Sequence, residues 1–467
     1  MKLSIEDVLS LDHVHMMNVE GLKSMRKLNV STDSRTTKPD SVFFAIRGER
    51  FDGHRFVGAA FDAGAVIAVV DRNVGPEILR DKPVLVVNDT TAALGQLANR
   101  HRRKFSIPVL AIAGSNGKTT TKDMVAGVLS EKYSVLKTAG NHNNQIGVPQ
   151  TLFGLGKKHD MAIIEVGTNH PGELANLCRI VEPTHGLITN VGPEHLEFFG
   201  DIEGVAREEG SLFASLSSTG TAFVNADDPW VAKKARHLRK RVMYGFGRRG
   251  VHVMGKFLAL DEKACGSFSV KPRSKKEFHV RLSVPGKHLV ANALAASAVG
   301  VAFKIPPKNI QRSLGRFSAT SNRMELHRAG GVMIIDDTYN ANPGSMRAAL
   351  DTLRSMESRG KRIAVLGDML ELGERSEQEH RAIAESVDAS ADCLLTLGSH
   401  AKAIYDSSSL KSKFHYDQKN VLSEYLTELL SPGDIVLVKG SRGMVMEDVV
   451  TFLRERLKHK RQTSLTG

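Results

Sequence analysis

VLAIAGSNGKTTTKD, residues 109–123, decides how the rest of the chain is read. Residues 109–113 are uniformly apolar, the pattern of a short buried strand, and from Thr119 onward the spacing turns helical. Between them stands Gly114-Ser115-Asn116-Gly117-Lys118-Thr119. A turn of this composition is a phosphate cradle. Its glycines let backbone N–H groups approach phosphate oxygens, the helix N-terminus adds the positive end of its dipole, Lys118 adds a point charge, and the Thr119 hydroxyl suits magnesium. The spacing departs from the common G-x-x-x-x-G-K-[ST] form, because Ile112 rather than glycine stands five residues before Gly117. G-x-x-G-K-T between a strand and a helix still predicts ATP or GTP as the ligand.

The 467 residues suffice for roughly three domains, each able to bury its own core. The expected divisions are 1–105, 106–326 and 327–467. Lysine and arginine outnumber acidic residues 64 to 51, a formal charge of +13. The basic clusters at 233–249, 271–276 and 454–461 come without any RNA- or DNA-binding signature and with few aromatics. They are read as solvated faces that attract phosphorylated, acidic small molecules, with no nucleic-acid partner expected. No apolar run approaches the roughly 18 residues that span a bilayer, and MKLSIEDVLSLDHVH lacks a signal pattern, so a cytoplasmic protein without membrane insertion is expected. Cys178, Cys265 and Cys393 form no C-x-x-C pair, which points to reduced core residues rather than a disulfide framework or zinc site.

Working outward, strands predicted at 42–46 and 66–70 around a helix at 56–63 give a small α/β unit. Its polar loop 31–35, with Ser34 and Arg35, either faces a ligand or caps elements. A helix at 94–104 leads to Pro108, a natural boundary. After the phosphate loop, TAGNHNNQIGVP at 138–149 holds Asn143 and Asn144 among many amide groups suited to a polar ligand. Strands at 161–166 and 187–191 bring Glu165 and then Gly192-Pro193-Glu194-His195 to the carboxyl ends of neighbouring strands, where a parallel sheet binds ligands. A strand at 222–225, a half-exposed antiparallel strand at 278–284 and an alanine-rich helix at 292–301 follow, then a polar link, 318–323, ending in Arg323. From 327 the chain alternates strands (332–335, 362–366, 393–397, 435–438) with helices, the first helix capped by Asn342 with Pro343 at its opening position. This pattern predicts a doubly wound sheet with polar residues at its strand ends.

Together these motifs resemble the ATP-dependent Mur ligases of peptidoglycan synthesis. The resemblance is carried by 114–120, Glu165, 192–195, His288 with Asn292, Arg323 and DDTYNANP at 336–343, and it covers nearly the whole chain. AGNHNNQIGVP, DDTYNANPGSM and LGDMLELG at 366–373 are similar to the branch that joins D-alanyl-D-alanine to UDP-N-acetylmuramoyl-tripeptide. The D-N-P-[AR] motif of the diamino-acid-adding branch does not occur.

The resemblance implies an α/β fold of three domains: a small UDP-sugar-binding domain, a central P-loop ATPase-like domain with a parallel sheet, and a C-terminal Rossmann-like doubly wound domain that helps hold the dipeptide and closes over the site. It implies ATP and magnesium as cofactors and a monomeric enzyme. Ser34 and Arg35 match uridine-nucleotide contacts. Gly114, Ser115, Asn116, Gly117, Lys118, Thr119 and Thr120 would hold the ATP phosphates, Asn292 would meet the adenine, and Arg323 with Asp337 would reach the nucleotide from the domain junction. Thr119, Glu165 and His195 would hold magnesium, and Asn143, Asn144, Tyr339, Asn340 and Asn342 would meet the substrates.

One departure concerns the lysine that the family commonly carbamylates as a metal ligand. Here the run is Ala206-Arg207-Glu208-Glu209-Gly210-Ser211, with Glu209 at the lysine position. Glu209 is expected to supply permanently the anionic oxygens that a carbamate supplies conditionally. A second departure is Leu289, where the family usually has asparagine after His288. The implied chemistry is transfer of the γ-phosphoryl group to the tripeptide carboxylate, then attack by the dipeptide amine on the acyl phosphate. No single residue stands out as the base for that amine. A sister amide ligase, such as the diamino-acid-adding Mur enzyme or a folylpolyglutamate synthetase, shares the loop and metal residues. A nucleotide switch needs the loop but not Glu165, His195 and Arg323 together, and a nucleic-acid-stimulated ATPase would account for the positive charge.

Overall fold

The segments read as strands and helices assemble, in chain order, into three sheets. The computed structural model describes residues 3–22, 27–48, 51–72, 74–75, 80–273 and 275–463; in the basic clusters, Ser274 and the side chains of 459–461 lie outside the described residues. Among the described residues the sheets have five, nine and six strands.

The first sheet runs His15–Met17, Val84–Val86, Ala65–Val70, Ser41–Phe44, Asn29–Ser31, antiparallel only at His15–Met17. Alternation along its central strands sends Val42, Phe44, Ile67 and Val69 toward the helix Thr90–Arg103, and Phe43, Ala68 and Val70 toward the helix Val57–Asp62.

In the second sheet Val109–Ala113 lies between His185–Ile188 and Met161–Glu165, parallel to both and buried throughout. The helices Lys118–Ser130 and Lys287–Ala302 cover one face, and Glu173–Val181 and Ile202–Glu209 the other. The expected parallel sheet is mixed: Val253–Leu260, Cys265–Pro272 and Phe278–Pro285 extend it as an antiparallel meander. At its edge Phe278–Pro285 alternates buried and exposed side chains through Ser283, as read from its sequence, whereas Cys265–Pro272 is largely buried on both faces.

The third sheet runs Glu325–Ala329, Val332–Asp336, Ile435–Lys439, Arg362–Gly367, Cys393–Leu397, Lys413–Tyr416, parallel except at its first strand, with helices on both faces. This is the doubly wound arrangement expected. Glu325–Ala329 straddles the expected boundary at 326/327. Asn342 caps the helix Pro343–Ser355 as read, its Oδ1 accepting from Ser345 N at 2.8 Å. All three cysteines are free and buried, and no helix of the described residues is long and apolar enough to cross a membrane.

Burial sets how stability should vary with pH. It holds five histidines, His101, His159, His185, His288 and His380, below their ordinary 6.5, because it disfavours the charged ring. The unfolded chain therefore binds protons near 6.5 that the native state refuses until lower pH, so stability is lost as pH falls through this window. Glu209 and Asp336, raised by burial, act in the opposite sense, two groups against five. The thermal midpoint should drop between about pH 7.5 and about pH 5.5; a midpoint that rises would contradict this.

Candidate active site

The phosphate loop is built by the end of the neighbouring strand. Gly114 has φ +118°, and a Cβ there would come within 2.2 Å of Thr189 Oγ1, so only glycine fits. Thr189 Oγ1 donates to Asn116 O at 2.7 Å and Asn190 Oδ1 accepts from Asn116 N at 3.1 Å. The strand predicted to 191 ends at Ile188; Thr189 N still donates to Ala113 O at 3.0 Å and Asn190 O accepts from Ser115 N at 2.9 Å, while their side chains hold the loop. Gly117, at φ +79°, begins the helix Lys118–Ser130, and its missing side chain leaves room for Asn292, whose Oδ1 a Cβ would approach to 2.7 Å. Of the sequence-predicted nucleotide residues, Asn292 thus meets the phosphate turn directly, while Arg323 and Asp337 stand on the far side of the same cavity.

Beneath and beside the loop, three carboxylates lie around Lys118, and one of them, Glu165, also reaches Lys122. Glu165, 1 % exposed, accepts on Oε1 from Thr119 Oγ1 at 3.0 Å and Asn143 Nδ2 at 2.9 Å. Its Oε2 has no hydrogen-bond partner and lies 3.5 Å from Nζ of Lys122, a fully buried lysine that also donates to Gly140 O at 2.6 Å. Lys118 Nζ donates to Gly114 O at 2.5 Å and lies 3.5 Å from Glu194 Oε2. Glu209 Oε2 accepts from Gly114 N at 2.6 Å, while Oε1 of both Glu194 and Glu209 is buried without a partner. Burial works against the Lys118 ammonium, but Glu194, Glu209 and Glu165 outweigh it and hold the lysine above its ordinary value. Burial and then the charge of Glu194 push the Glu209 carboxyl well up.

Buried carboxylate oxygens without donors are hard ligands of the kind magnesium takes, and Glu194, Glu209 and, beside Thr119, Glu165 each carry one. Glu209 lies under the loop rather than in the cavity lining. Glu194 and Lys122 are additions to the site read from sequence. Glu194 stands within the 192–195 motif already singled out, and Lys122, four residues after Lys118, shares its helix face.

The third sheet supplies the facing wall. Asp337, Tyr339, Asn340 and Asn342 line one cavity of about 720 Å³ with Asn143, Asn144 and the phosphate loop. Asn342 Nδ2 donates to Asn116 Oδ1 at 2.9 Å, joining the two units directly. The Arg323 guanidinium sits 3.7 Å from the Tyr339 ring centroid, a stacked cation–π contact. Asp337 accepts from Met324 N at 3.2 Å and pairs at 2.5 Å with Lys439, a buried lysine at a strand end that sequence reasoning passed over. His195, also in the lining, has Nδ1 2.6 Å from Glu371 Oε2. Asn144 Oδ1 accepts from Ile146 N and Gly147 N, so it also caps the helix Gly147–Phe153 within a stretch read as loop. Ser34 and Arg35 are not brought to this cavity. Arg35 faces solvent and pairs with Asp33 at 2.7 Å.

A strand-borne phosphate loop, buried carboxylates and a second α/β unit closing on them define a nucleotide-dependent enzyme of the open-sheet class. The chain belongs to the Mur ligase family. Models of that family's catalytic domain, its middle domain and its glutamate ligase domain match residues 28–102, 112–300 and 322–442. Among curated relatives, the UDP-N-acetylmuramoyl-tripeptide--D-alanyl-D-alanine ligase of Escherichia coli (strain K12) is 36 % identical over 430 residues, and that of Bacillus subtilis (strain 168) 35 % over 432, each match covering 91 % of this chain and 93 % of the relative. Among solved structures, MurF from Acinetobacter baumannii superposes with a TM-score of 0.87 at 31 % identity, covering 97 % of this chain and 99 % of that one. MurF ligase from Thermotoga maritima in complex with ADP gives 0.82 at 27 %, covering 92 % and 98 %.

Proposed function

We propose that the chain is an ATP-dependent amide ligase that adds D-alanyl-D-alanine to UDP-N-acetylmuramoyl-tripeptide, forming the pentapeptide precursor of peptidoglycan in the cytoplasm, and that it acts as a monomer. The observation that carries the reading is the cavity in which the phosphate loop, Glu165 and Glu194 face Asp337, Tyr339, Asn340 and Asn342. The relatives named above carry this activity in their names, over more than nine-tenths of their length.

A carboxylate is a poor electrophile, so the tripeptide terminus must first be phosphorylated by ATP and the resulting acyl phosphate then attacked by the dipeptide amine. The loop N–H groups and Lys118 hold the phosphate oxygens as charge shifts among them. Thr119 and Glu165 would hold one magnesium ion, and His195 with Glu194 and Glu209 a second, which supply Lewis-acid charge to those oxygens. Asn292 meets the adenine, while Arg323, fixed on Tyr339, and Asp337 contact the nucleotide from the junction. Asn143, Asn144, Tyr339, Asn340 and Asn342 position the peptide groups, and Ser34 with Arg35 hold the uridine end in the first unit. Docking of the third unit, through Asn342 on Asn116, keeps water from the acyl phosphate.

Phosphate release in the presence of tripeptide substrate, ATP and magnesium should require D-alanyl-D-alanine. Slow release indifferent to any acceptor would favour a nucleotide switch, and free amino acids serving instead would favour a sister ligase. Glu209→Ala should lower kcat by about 10²-fold, the scale of a lost electrostatic contact. Wild-type turnover should not respond to bicarbonate, whereas Glu209→Lys, which restores a side chain able to form a carbamate, should. Near wild-type turnover in Glu209→Ala would remove Glu209 from the metal site.

A further inference from the structure

Most of the 366–373 stretch, LGDMLELG, is structural. Asp368 Oδ1 accepts from Ala401 N at 2.7 Å within the third sheet's own loops. Glu371 differs. Its Oε2 reaches 2.6 Å from His195 Nδ1, across from a loop of the second sheet. The approach is built into both backbones: His195 has φ +47° and Glu371 φ +62°, left-handed conformations that non-glycine residues adopt only when their surroundings hold them there. The two segments also interlock. Glu197 N donates to Glu371 O at 3.4 Å, and Gly373, at φ +54°, lies so close that a Cβ there would stand 3.2 Å from Glu197 Cα.

The side chain of His195 is 15 % exposed and lies in the lining of the cavity that Glu194 and Lys118 also line. An imidazole that ligates a metal through one nitrogen needs its other N–H held, both to fix the tautomer and to aim the ring. Glu371 Oε2 reaches Nδ1 at 2.6 Å as an ion-pair contact rather than along the N–H direction, so its charge and its contact with the ring are what can aim it. We propose that Glu371 is the positioning carboxylate for His195, so that the second metal position is complete only when the C-terminal unit is docked. Closure and metal binding are then one event, because the histidine comes from one sheet and the group that aims it from another. This rests on the reading of His195 as a metal ligand.

The test uses the full chain with a non-hydrolysable ATP analogue and Mn²⁺ as the probe metal, its affinity measured by electron paramagnetic resonance and its imidazole ligation by ¹⁴N electron spin echo modulation. The wild-type complex should show ¹⁴N coupling that His195→Ala removes. Glu371→Ala should bind Mn²⁺ about 10- to 100-fold more weakly with reduced ¹⁴N coupling, the usual consequence of removing a ligand's supporting partner. Glu371→Gln, which keeps the contact with the ring but not the charge, should give values between those of wild type and the alanine variant, and it keeps the test informative if the alanine variant folds poorly. Unchanged affinity and coupling in Glu371→Ala would overturn the proposal while leaving His195 at the metal. Weaker affinity with undiminished coupling would overturn it too, assigning Glu371 to domain docking alone. Absence of ¹⁴N coupling in the wild type would overturn both readings.

Discussion

Lys118→Ala should lower kcat by about 10³-fold, the upper range for loss of a single preorganised charge at a reacting group, while leaving the protein folded. The lysine lies where three carboxylates meet the loop, and they raise its proton affinity, so it stays an ammonium at any working pH. Removing it leaves Glu194 and Glu209 without their shared cation. Glu209, pushed up by burial and by Glu194, is the group that can neutralise by keeping a proton, which limits the cost to stability. Arginine should not rescue, because a planar guanidinium does not fit where Nζ packs 2.5 Å from Gly114 O. Single-turnover phosphate release with thermal unfolding as the folding control checks this; a kcat within about tenfold of wild type would contradict it.

Glu165→Ala should abolish turnover and also destabilise the central unit, by about 3–5 kcal/mol, the cost of stranding one member of a buried ion pair. Glu165 and Lys122 have side chains only 1 % exposed each. With the carboxylate gone, Lys122 keeps Gly140 O and Asp123 at 3.6 Å, which places the loss toward the lower end. The double variant Lys122→Met/Glu165→Gln removes both charges at once and should recover most of the stability without any activity. Urea unfolding of the singles and the double gives the coupling. Losses that simply add would show that the pair does not act as a unit.

What could be read from the sequence was whatever depends on neighbours along the chain. The strand Val109–Ala113, the phosphate turn and the cap Asn342-Pro343 carry their own local signals, and each lies where it was read. The antiparallel extension of the second sheet was only partly legible, because Val253–Leu260 has no clean alternation to mark a half-covered face. Site residues that depend on distant partners were less visible still. Lys122 looks like one more helix lysine until Glu165 and Gly140 arrive from other segments, and Lys439 until Asp337 does. Thr189 and Asn190 continue an apolar strand pattern, yet their side chains serve the loop 73 and 74 residues earlier. Glu371 sits in an acidic, half-exposed turn, and only the approach of His195 from another sheet distinguishes it.

Ligation through an acyl phosphate at the 109–123 loop moves an oxygen from the substrate carboxylate to phosphate, and isotope labelling follows that transfer. UDP-N-acetylmuramoyl-tripeptide labelled with ¹⁸O in both oxygens of its terminal carboxylate would be turned over with ATP, magnesium and D-alanyl-D-alanine, and both products weighed. One ¹⁸O should appear in the released phosphate and one should remain in the new amide carbonyl, in a product of pentapeptide mass. Phosphate released without label, or without need of the dipeptide, would contradict it.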